Sequence, residues 1–244
     1  SEMCIRDRYG EIITYDFSIT HKDGISETKK EDLIQYAKKQ EHMTDLIEVS
    51  ESAVTIRANG KKQDATMIQP MSKKDLNGYI SLQDRKSKTK YQLDDDGIIL
   101  TEKAASLLGV KKGDSIKIQR SGDKQITAKI SQITENYMQH KVYMTPKLYE
   151  KLYHKKAQTT GIYCIEKNIS KKKMQENGKQ ILARDEASTL HFCADDEKTM
   201  SDMVNNLNIV VVVLIVSAGL LAFVVLYNFC LLYTSPSPRD RTRS

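Results

Sequence analysis

The chain has 244 residues, of which 29% are charged and 39% are hydrophobic, and its formal net charge is +6. Lysines are interleaved with acidic residues, which is typical of a solvated surface. A nucleic-acid groove is disfavoured, because it needs clustered basic residues with aromatic side chains beside them. Four cysteines are too few for a dense disulfide framework.

The hydrophobic pattern of the first 70 residues predicts several strands and one helix. The predicted strands cover residues 11–20, 46–58 and 65–69. The predicted helix covers residues 26–40. Its apolar residues Leu33, Ile34 and Ala37 lie on one face. Asn59-Gly60 is the strongest short signal for a β-hairpin and predicts that the strands on either side of it pair.

The middle of the chain has the clearest local signals. Residues 84–96 are charged and nearly free of apolar side chains, so they predict an exposed loop. A strand over residues 97–100 then leads into a short helix, with Thr101 as the predicted N-cap and Gly109 as the C-cap. Gly-Asp pairs at 113–114 and 122–123 predict turns into strands over 115–119 and 126–133 rather than phosphate-binding loops.

The remaining soluble part again mixes the two element types. The predicted strands cover residues 142–144, 161–166 and 188–194. The predicted helices cover residues 146–153, with proline in the first turn, and 170–183, and a last helix begins near Asp196. We therefore predict an α+β fold, with mixed sheets and with helices packed on one face.

Residues 207–226 form an uncharged apolar run of about 20 residues, roughly the length that a helix needs to cross a ~30 Å hydrocarbon core. The run predicts a transmembrane helix that continues without a break from the last soluble helix. A buried core helix is the alternative, which the length and purity of the run disfavour. Ser217, Ala218, Gly219 and Ala222 would allow close helix–helix approach, although ordinary residue choice explains them equally well.

Both ends of the chain differ in character from what lies between them. Residues 1–8 and 230–244 resemble translated sequencing-adapter DNA, so we expect native sequence from Tyr9 to Asn228 or Phe229. Genuine disordered termini are the alternative. The arginines of the last string contribute to the net charge, and the part between the two strings carries +4. The acid-rich segment 195–202 mildly favours an outside location for the soluble part.

The cysteines give a further expectation. Cys4 and Cys230 lie in the terminal strings, whereas Cys164 and Cys193 each lie in a predicted strand. A disulfide between Cys164 and Cys193 is possible, but two buried free thiols are the favoured interpretation.

No short motif in the sequence predicts catalysis or cofactor binding. A Gly-x-x-x-x-Gly-Lys-Ser/Thr loop and a Gly-x-Ser-x-Gly elbow are absent from the sequence. Asp94-Asp95-Asp96 lacks the spacing and glycine of a calcium loop. Five histidines never fall at zinc spacing: His21, His42, His140, His154 and His191. We predict no catalytic residue, no metal and no cofactor, and we disfavour a membrane-bound hydrolase or peptidase for lack of a nucleophile and base pair.

An ordered series of segments resembles one family of membrane proteins. The segments are residues 96–114, 133–140, 142–149 and 203–228. Together they resemble the extracytoplasmic domain and following membrane helix of FtsX-like (MacB-type) ABC-transporter permeases, particularly those of Gram-positive bacteria. The resemblance implies an extracytoplasmic permease domain over residues 9–200 and a helix entering and spanning the membrane over residues 201–229. Residues 1–8 and 230–244 would be artefacts.

The resemblance also implies a setting and partners. The intact protein would be a multi-pass cell-membrane permease that pairs with a separate cytoplasmic ABC ATPase subunit, a second permease subunit or half, and membrane lipid, but with no nucleic acid. Its role would be export of lipid, lipoprotein or peptide, peptide-antibiotic resistance, or control of cell-wall hydrolases. The alternative is a surface binding or sensor domain with a single membrane anchor.

The family has no catalytic residues in the permease, so the resemblance implies none here. Glu135, Asn136, Tyr137 and His140 match a family motif. We interpret them as structural residues that direct the end of one strand into the next.

Overall fold

A computed structural model describes residues 12–71, 76–136 and 139–234, with side chains described except at residues 194–206, 208 and 234. The chain divides into two compact units between Glu197 and Lys198. We call the described residues up to Glu197 the folded unit and those from Lys198 the C-terminal unit.

Nine strands and five helices are described in these ranges. The strands are β1 (Phe17–His21), β2 (Met43–Ala58), β3 (Lys61–Pro70), β4 (Ile98–Thr101), β5 (Ser115–Arg120), β6 (Ile126–Thr134), β7 (Lys141–Tyr143), β8 (Gly161–Glu166) and β9 (Ala187–Phe192). The helices are α1 (Glu27–Lys38), α2 (Glu102–Leu108), α3 (Pro146–Tyr153), α4 (Lys171–Leu182) and α5 (Cys193–Thr234). The predicted α+β class is confirmed.

One mixed sheet contains all nine described strands, in the order β3-β7-β4-β6-β5-β2-β8-β1-β9. The pairs β3–β7 and β4–β6 are parallel, and the other neighbours are antiparallel. β3 also pairs with β2, which closes six strands into a barrel. Closure removes the unpaired edges that an open sheet would present to solvent or to another chain.

The long strand β2 belongs to two lobes of the folded unit. Its residues 54–57 lie between β3 and β5, whereas residues 43–49 pair with β8. The barrel lobe consists of β3 to β7, the second half of β2, α2 and α3. The sheet lobe consists of β1, β8, β9, the first half of β2, α1 and α4.

The hairpin between β2 and β3 shows how local sequence fixes this topology. Asn59 and Gly60 have φ angles of 51° and 72°. Both central residues of a type I′ turn need positive φ, which Asn and Gly adopt most easily. The register that follows places Val54, Ile56 and Met67 inside the barrel. The predicted hairpin is confirmed.

The barrel lobe is filled by apolar side chains and closed by two helices. Ile56, Ile98 and Ile118 are fully buried, and they belong to one cluster with Leu108 of α2 and Tyr149 of α3. Gly109 ends α2 with φ 68°, as its predicted C-cap role requires. Thr101 is the N-cap residue, but its side chain makes no capping bond. Its Oγ1 instead accepts a hydrogen bond from the Lys141 backbone N at 3.1 Å, which links β4 to the start of β7.

The sheet lobe carries its helices on one face, as predicted. Leu33, Ile34 and Ala37 of α1 are buried, and Ile181 of α4 joins them against Phe17. Each helix begins with a serine whose side chain accepts a hydrogen bond from the third backbone N–H along. The opposite face is covered by a separate apolar cluster, in which the rings of Tyr15 and Tyr163 stack with centroids 4.1 Å apart.

Several predicted strands have different limits in the structure, among them β1 and β9. β1 begins at Phe17 rather than near residue 11, because the preceding described residues bond to the segment around Tyr79. Thr14 N donates to Tyr79 O at 2.9 Å, for example. β9 ends at Phe192, so Cys193 is the first residue of α5 and not a strand residue. The prediction that Cys193 lies in a strand was therefore wrong.

Candidate functional site

The C-terminal unit carries an unbroken apolar surface. Within α5, the most apolar window of residues Ile209–Tyr233 has a mean hydropathy of 3.3, and none of that window is buried in the protein. At 1.5 Å per residue these 25 residues extend about 37 Å, enough to cross a ~30 Å hydrocarbon core. Among the described helices this is the one long and apolar enough to span a membrane.

Two other kinds of helix share this composition, but their positions differ. A core helix of a soluble protein would be mostly buried, and a signal sequence would lie near the N-terminus. Here Leu221 and Phe223 are 67% and 68% exposed. Ser217 is a polar group within the span, and its Oγ donates to the Val213 carbonyl at 2.7 Å, so its donor is satisfied inside the helix.

The motif residues after β6 form a buried polar cluster. The Glu135 side chain is 1% exposed, and its Oε2 accepts hydrogen bonds from Lys88 Nζ at 2.7 Å and Gln83 Nε2 at 3.2 Å. Gln83 N also donates to Thr134 Oγ1 at 2.9 Å. These bonds fasten the 83–88 loop to the end of β6. The contact is structural, but it differs from the predicted role of directing the chain into the next strand.

The rest of that motif is less fully described. Asn136 Nδ2 donates to the Gln139 carbonyl at 3.4 Å, which closes the chain toward β7. Thr66 N of β3 donates to the His140 carbonyl at 2.9 Å. Tyr137 lies outside the described residues.

The acidic turn 94–96 is used to position the chain. Asp94 Oδ1 accepts from the backbone N of both Asp96 and Gly97, each at 3.0 Å. Asp95 Oδ1 accepts from Thr145 Oγ1, the N-cap residue of α3, at 2.6 Å. These bonds fix the entry to β4 and its distance from α3.

The five histidines lie apart. His42 follows α1, His140 precedes β7, His154 caps α3 and His191 is on β9. His21, the last residue of β1, is 4% exposed. Within the described ranges, no group of three or more His, Cys, Asp or Glu side chains is placed to hold a metal ion.

Cys164 lies at the centre of the sheet lobe. It is completely buried and is a free thiol, so it does not form the disulfide with Cys193 that the sequence left open. Burial raises the pKa of its thiol well above the ordinary value, and the nearby carboxylates of Glu166 and Asp16 add to the effect. Such a thiol is a poor nucleophile.

Asp16 and Glu166 form a pair of carboxyl groups beside Cys164. Asp16 Oδ2 accepts a hydrogen bond from the Glu166 backbone N at 2.7 Å, and Glu166 Oε1 accepts from Asn177 Nδ2 at 3.0 Å. Burial raises the pKa of both carboxyl groups, and this outweighs those hydrogen bonds, which lower it. The pair therefore makes the folded unit sensitive to pH.

A polar cavity of about 290 Å³ lies where the two lobes meet. The sheet lobe contributes His21 and Lys30, and the barrel lobe contributes Arg120 and Tyr149. His21 is positioned by its backbone N, which donates to the Thr160 carbonyl at 2.8 Å, and by a register irregularity between β1 and β9. The sequence predicted no role for these residues, because the two lobes approach each other only in the folded chain.

No protein-family model matches the sequence, and no curated protein matches it. Similar solved structures exist. The periplasmic region of MacB from Actinobacillus actinomycetemcomitans has a TM-score of 0.43 and 9% identity, over 80% of this chain and 94% of that one. The extracellular domain of the noncanonic ABC-type transporter YknZ from Gram-positive bacteria has a TM-score of 0.39 and 14% identity, over 68% of this chain and 89% of that one. A domain of a Porphyromonas gingivalis protein described as a permease has a TM-score of 0.34 and 13% identity, over 72% of this chain and 88% of that one.

Proposed function

We propose that this chain is part of the permease subunit of an FtsX-like ABC transporter, comprising its extracytoplasmic domain and the membrane helix that follows. The observation that carries the proposal is the exposed apolar span of α5, a helix that begins directly after β9, the last strand of the folded unit. The ordered segments that resemble the FtsX-like family support it.

In this proposal a separate cytoplasmic ATPase supplies energy and the folded unit responds on the outer side of the membrane. A continuous helix suits such coupling, because a hydrogen-bonded helix transmits displacement along its axis better than a flexible linker does. α5 is continuous from Cys193 to Thr234. A second permease subunit or half, and membrane lipid, would complete the assembly.

The first test concerns the gene. We would resequence the source locus across both ends of the reading frame. The permease proposal expects further membrane helices beyond Asn228 and an adjacent ATPase gene. A frame that truly stops at Ser244 would contradict it and favour the alternative, a surface binding or sensor domain with one membrane helix.

The second test concerns topology and coupling. A cysteine at the exposed Ser121, in the turn between β5 and β6, should react with a membrane-impermeant maleimide in intact cells, with the parent chain as background. The completed permease, co-expressed with the adjacent ATPase, should co-purify with it and change its rate of ATP hydrolysis. Labelling only after lysis, or an ATPase unaffected by the permease, would contradict the proposal.

A further inference from the structure

The cavity between the lobes contains a buried imidazole that the rest of the folded unit does not use. His21 is 4% exposed, and neither of its ring nitrogens makes a hydrogen bond to any described residue. A buried polar group without a hydrogen bond is costly, and most such groups in proteins have a partner. His21 is among the residues that line the cavity, so a ligand in that cavity could supply the partner.

The charge around His21 has a definite sign. Five of the cavity-lining side chains are cationic, and one, Asp23, is anionic. The cations are Lys22, Lys30, Arg120, Lys155 and Lys156. Burial lowers the pKa of His21, and the charge of Lys30 lowers it further, while Glu27 acts in the opposite direction. The imidazole therefore lies within reach of the electrostatic field of a largely buried ammonium group.

Some of these cations are already paired. Lys30 Nζ binds Glu27 Oε1 at 2.7 Å, and Lys155 Nζ binds Asp123 Oδ1 at 2.5 Å. Arg120 lies 3.8 Å from the same aspartate. Its Nη1 also donates to the Tyr149 hydroxyl at 3.0 Å.

Two lysines remain. Within the described part of the chain, Lys22 and Lys156 make no ion pair. Among the lining side chains themselves five are cationic and Asp23 is anionic, while Glu27, Asp123 and Glu48 lie beside lining residues and offset part of the positive charge. A phosphate monoester carries about −1.5 to −2 near neutral pH, so it is attracted to this mainly cationic lining more strongly than a single carboxylate is.

The size of the cavity agrees with a small anionic group. Drug-sized ligand sites occupy roughly 300–1,000 Å³, so a cavity of about 290 Å³ suits a small ligand or the head of a larger one. Its position between two lobes is also where ligand sites are common.

We propose that this cavity binds a phosphate group, with the His21 ring N–H and the ammonium groups of Lys22 and Lys156 as its donors. Lys30 and Arg120 add positive potential, and their existing partners hold them in place. The phosphate belongs either to a small soluble molecule or to a lipid headgroup, and both present the same oxygens to the same donors. The proposal does not depend on the permease assignment, because it rests on the folded unit alone.

The test uses the full chain in a non-ionic detergent with ¹⁵N-labelled histidine, so that the His21 ring can be observed. Inorganic phosphate is titrated as the probe. We expect a saturable shift of the His21 signals, and an increase in the pKa of His21 when phosphate is bound, because a nearby negative charge favours the imidazolium. The other four histidines are internal references. A His21 ring that does not respond, in a chain that remains folded, would overturn the proposal.

Matched variants separate a built site from general attraction between charges. Lys22→Gln and Lys156→Gln should each weaken phosphate binding by about tenfold, the usual effect of losing a charge-assisted hydrogen bond. Lys129→Gln removes another exposed lysine, on β6, that does not line the cavity, and it should change the affinity less than about twofold. Equal weakening by all three variants would contradict the proposal.

His21→Phe keeps a ring of similar size without its nitrogens and should weaken binding by about tenfold. If this variant does not fold, the exposed lysine variants still decide the question. To identify the source of the phosphate, the chain is placed in phosphatidylcholine nanodiscs with or without phosphatidic acid. A His21 shift with phosphatidic acid alone indicates a lipid headgroup, and a shift with inorganic phosphate alone indicates a soluble ligand. No shift with either overturns the proposal.

Discussion

The folded unit and the C-terminal unit use the same apolar residue types in opposite ways. Phe17 of β1 is 0% exposed, whereas Phe223 of α5 is 68% exposed. Val54 of β2 and Val212 of α5 differ in the same manner, since they are 4% and 59% exposed. In the folded unit an apolar side chain leaves water by packing against other side chains. This burial contributes a stabilising free energy of about 25 cal/mol per Å² of apolar surface. The described residues offer no such cover to the apolar span of α5, so the solvent that suits this surface is lipid.

The difference teaches that the two units are stable in different media. A substitution that matters in one unit should have little effect at an equivalent residue of the other. Three pairs of changes test this, and a fourth pair tests the pH dependence of the folded unit alone. We give them from the largest expected effect to the smallest.

The first pair removes a phenylalanine from each unit. Phe17→Ala should lower the free energy of unfolding of the folded unit by about 3–5 kcal/mol, because it leaves a cavity beside α1 and α4. Phe223→Ala should leave that free energy unchanged. Chemical denaturation of the full chain in detergent, followed by tyrosine fluorescence, measures both. A comparable loss in the two variants would show that α5 packs on the folded unit and is not a lipid-facing helix.

The second pair introduces an arginine at a leucine. Leu221 lies at the centre of the apolar span, where arginine costs about 2.5–3.5 kcal/mol of membrane insertion. Leu107 of α2 is 40% exposed, so Leu107→Arg should change stability by less than about 0.5 kcal/mol. Insertion is measured by the fraction of chain that resists carbonate extraction from membranes. If Leu221→Arg inserted as well as the parent chain, the span assignment would fail.

The third pair adds one methyl group to a glycine. A Cβ at Gly161 would lie 2.4 Å from the Ile19 carbonyl oxygen, so Gly161→Ala should force β8 and β1 apart and cost about 1–3 kcal/mol. No atom lies within 4 Å of the corresponding position at Gly219 of α5, and Gly219→Ala should be tolerated. Thermal unfolding compares the two. An unaltered melting temperature for Gly161→Ala would mean that the β1–β8 register differs from the one described here.

The last pair concerns pH. Since folding raises the pKa of the Asp16 and Glu166 carboxyl groups, the folded state binds their protons more tightly than the unfolded state. Their contribution to stability is therefore fully present below the ordinary pKa values of 3.8 and 4.5, and it is lost as pH rises through the raised values.

Glu166→Gln should make the free energy of unfolding depend less on pH and should raise it at neutral pH. The increase should be smaller than the changes expected for Phe17→Ala and Gly161→Ala. Glu176, exposed on α4 near Asn177, provides the control, and Glu176→Gln should keep the slope of the parent chain. Unfolding free energies measured between mildly acidic and neutral pH give both slopes. A steeper slope for Glu166→Gln would contradict the assignment of the shift to this carboxyl group.

Much of the local structure was predictable, because the signals that specify it are local. The predicted limits of α3 and β8 agree with the structure, since Pro146 and Gly161 mark their starts. The hairpin at Asn59-Gly60 and the C-cap at Gly109 were predicted for the same reason. β9 was predicted too long, because Cys193 continues the apolar alternation of the strand while the chain has already turned into α5.

The candidate sites divide in the same way. The apolar span was evident from composition, because any helix of that length and purity needs an apolar medium. Glu135 was interpreted as structural from its match to a family motif, but its contact with Lys88, 47 residues away, was not predicted, because no sequence pattern points to it. The cavity around His21 was not predicted at all.

By itself, the sequence determined the elements, the turns and the span, since each depends on neighbours within a few residues along the chain. The hairpin signal at Asn59-Gly60 predicted the pairing of β2 with β3, but only the tertiary structure decided that β2 also pairs with β5 and β8, which closes the barrel and joins the two lobes. It also decided which side chains share the cavity. His21 meets Arg120 and Tyr149 there from distant parts of the sequence, because strand pairing over such separations is specified by the whole set of packed residues and not by any local pattern.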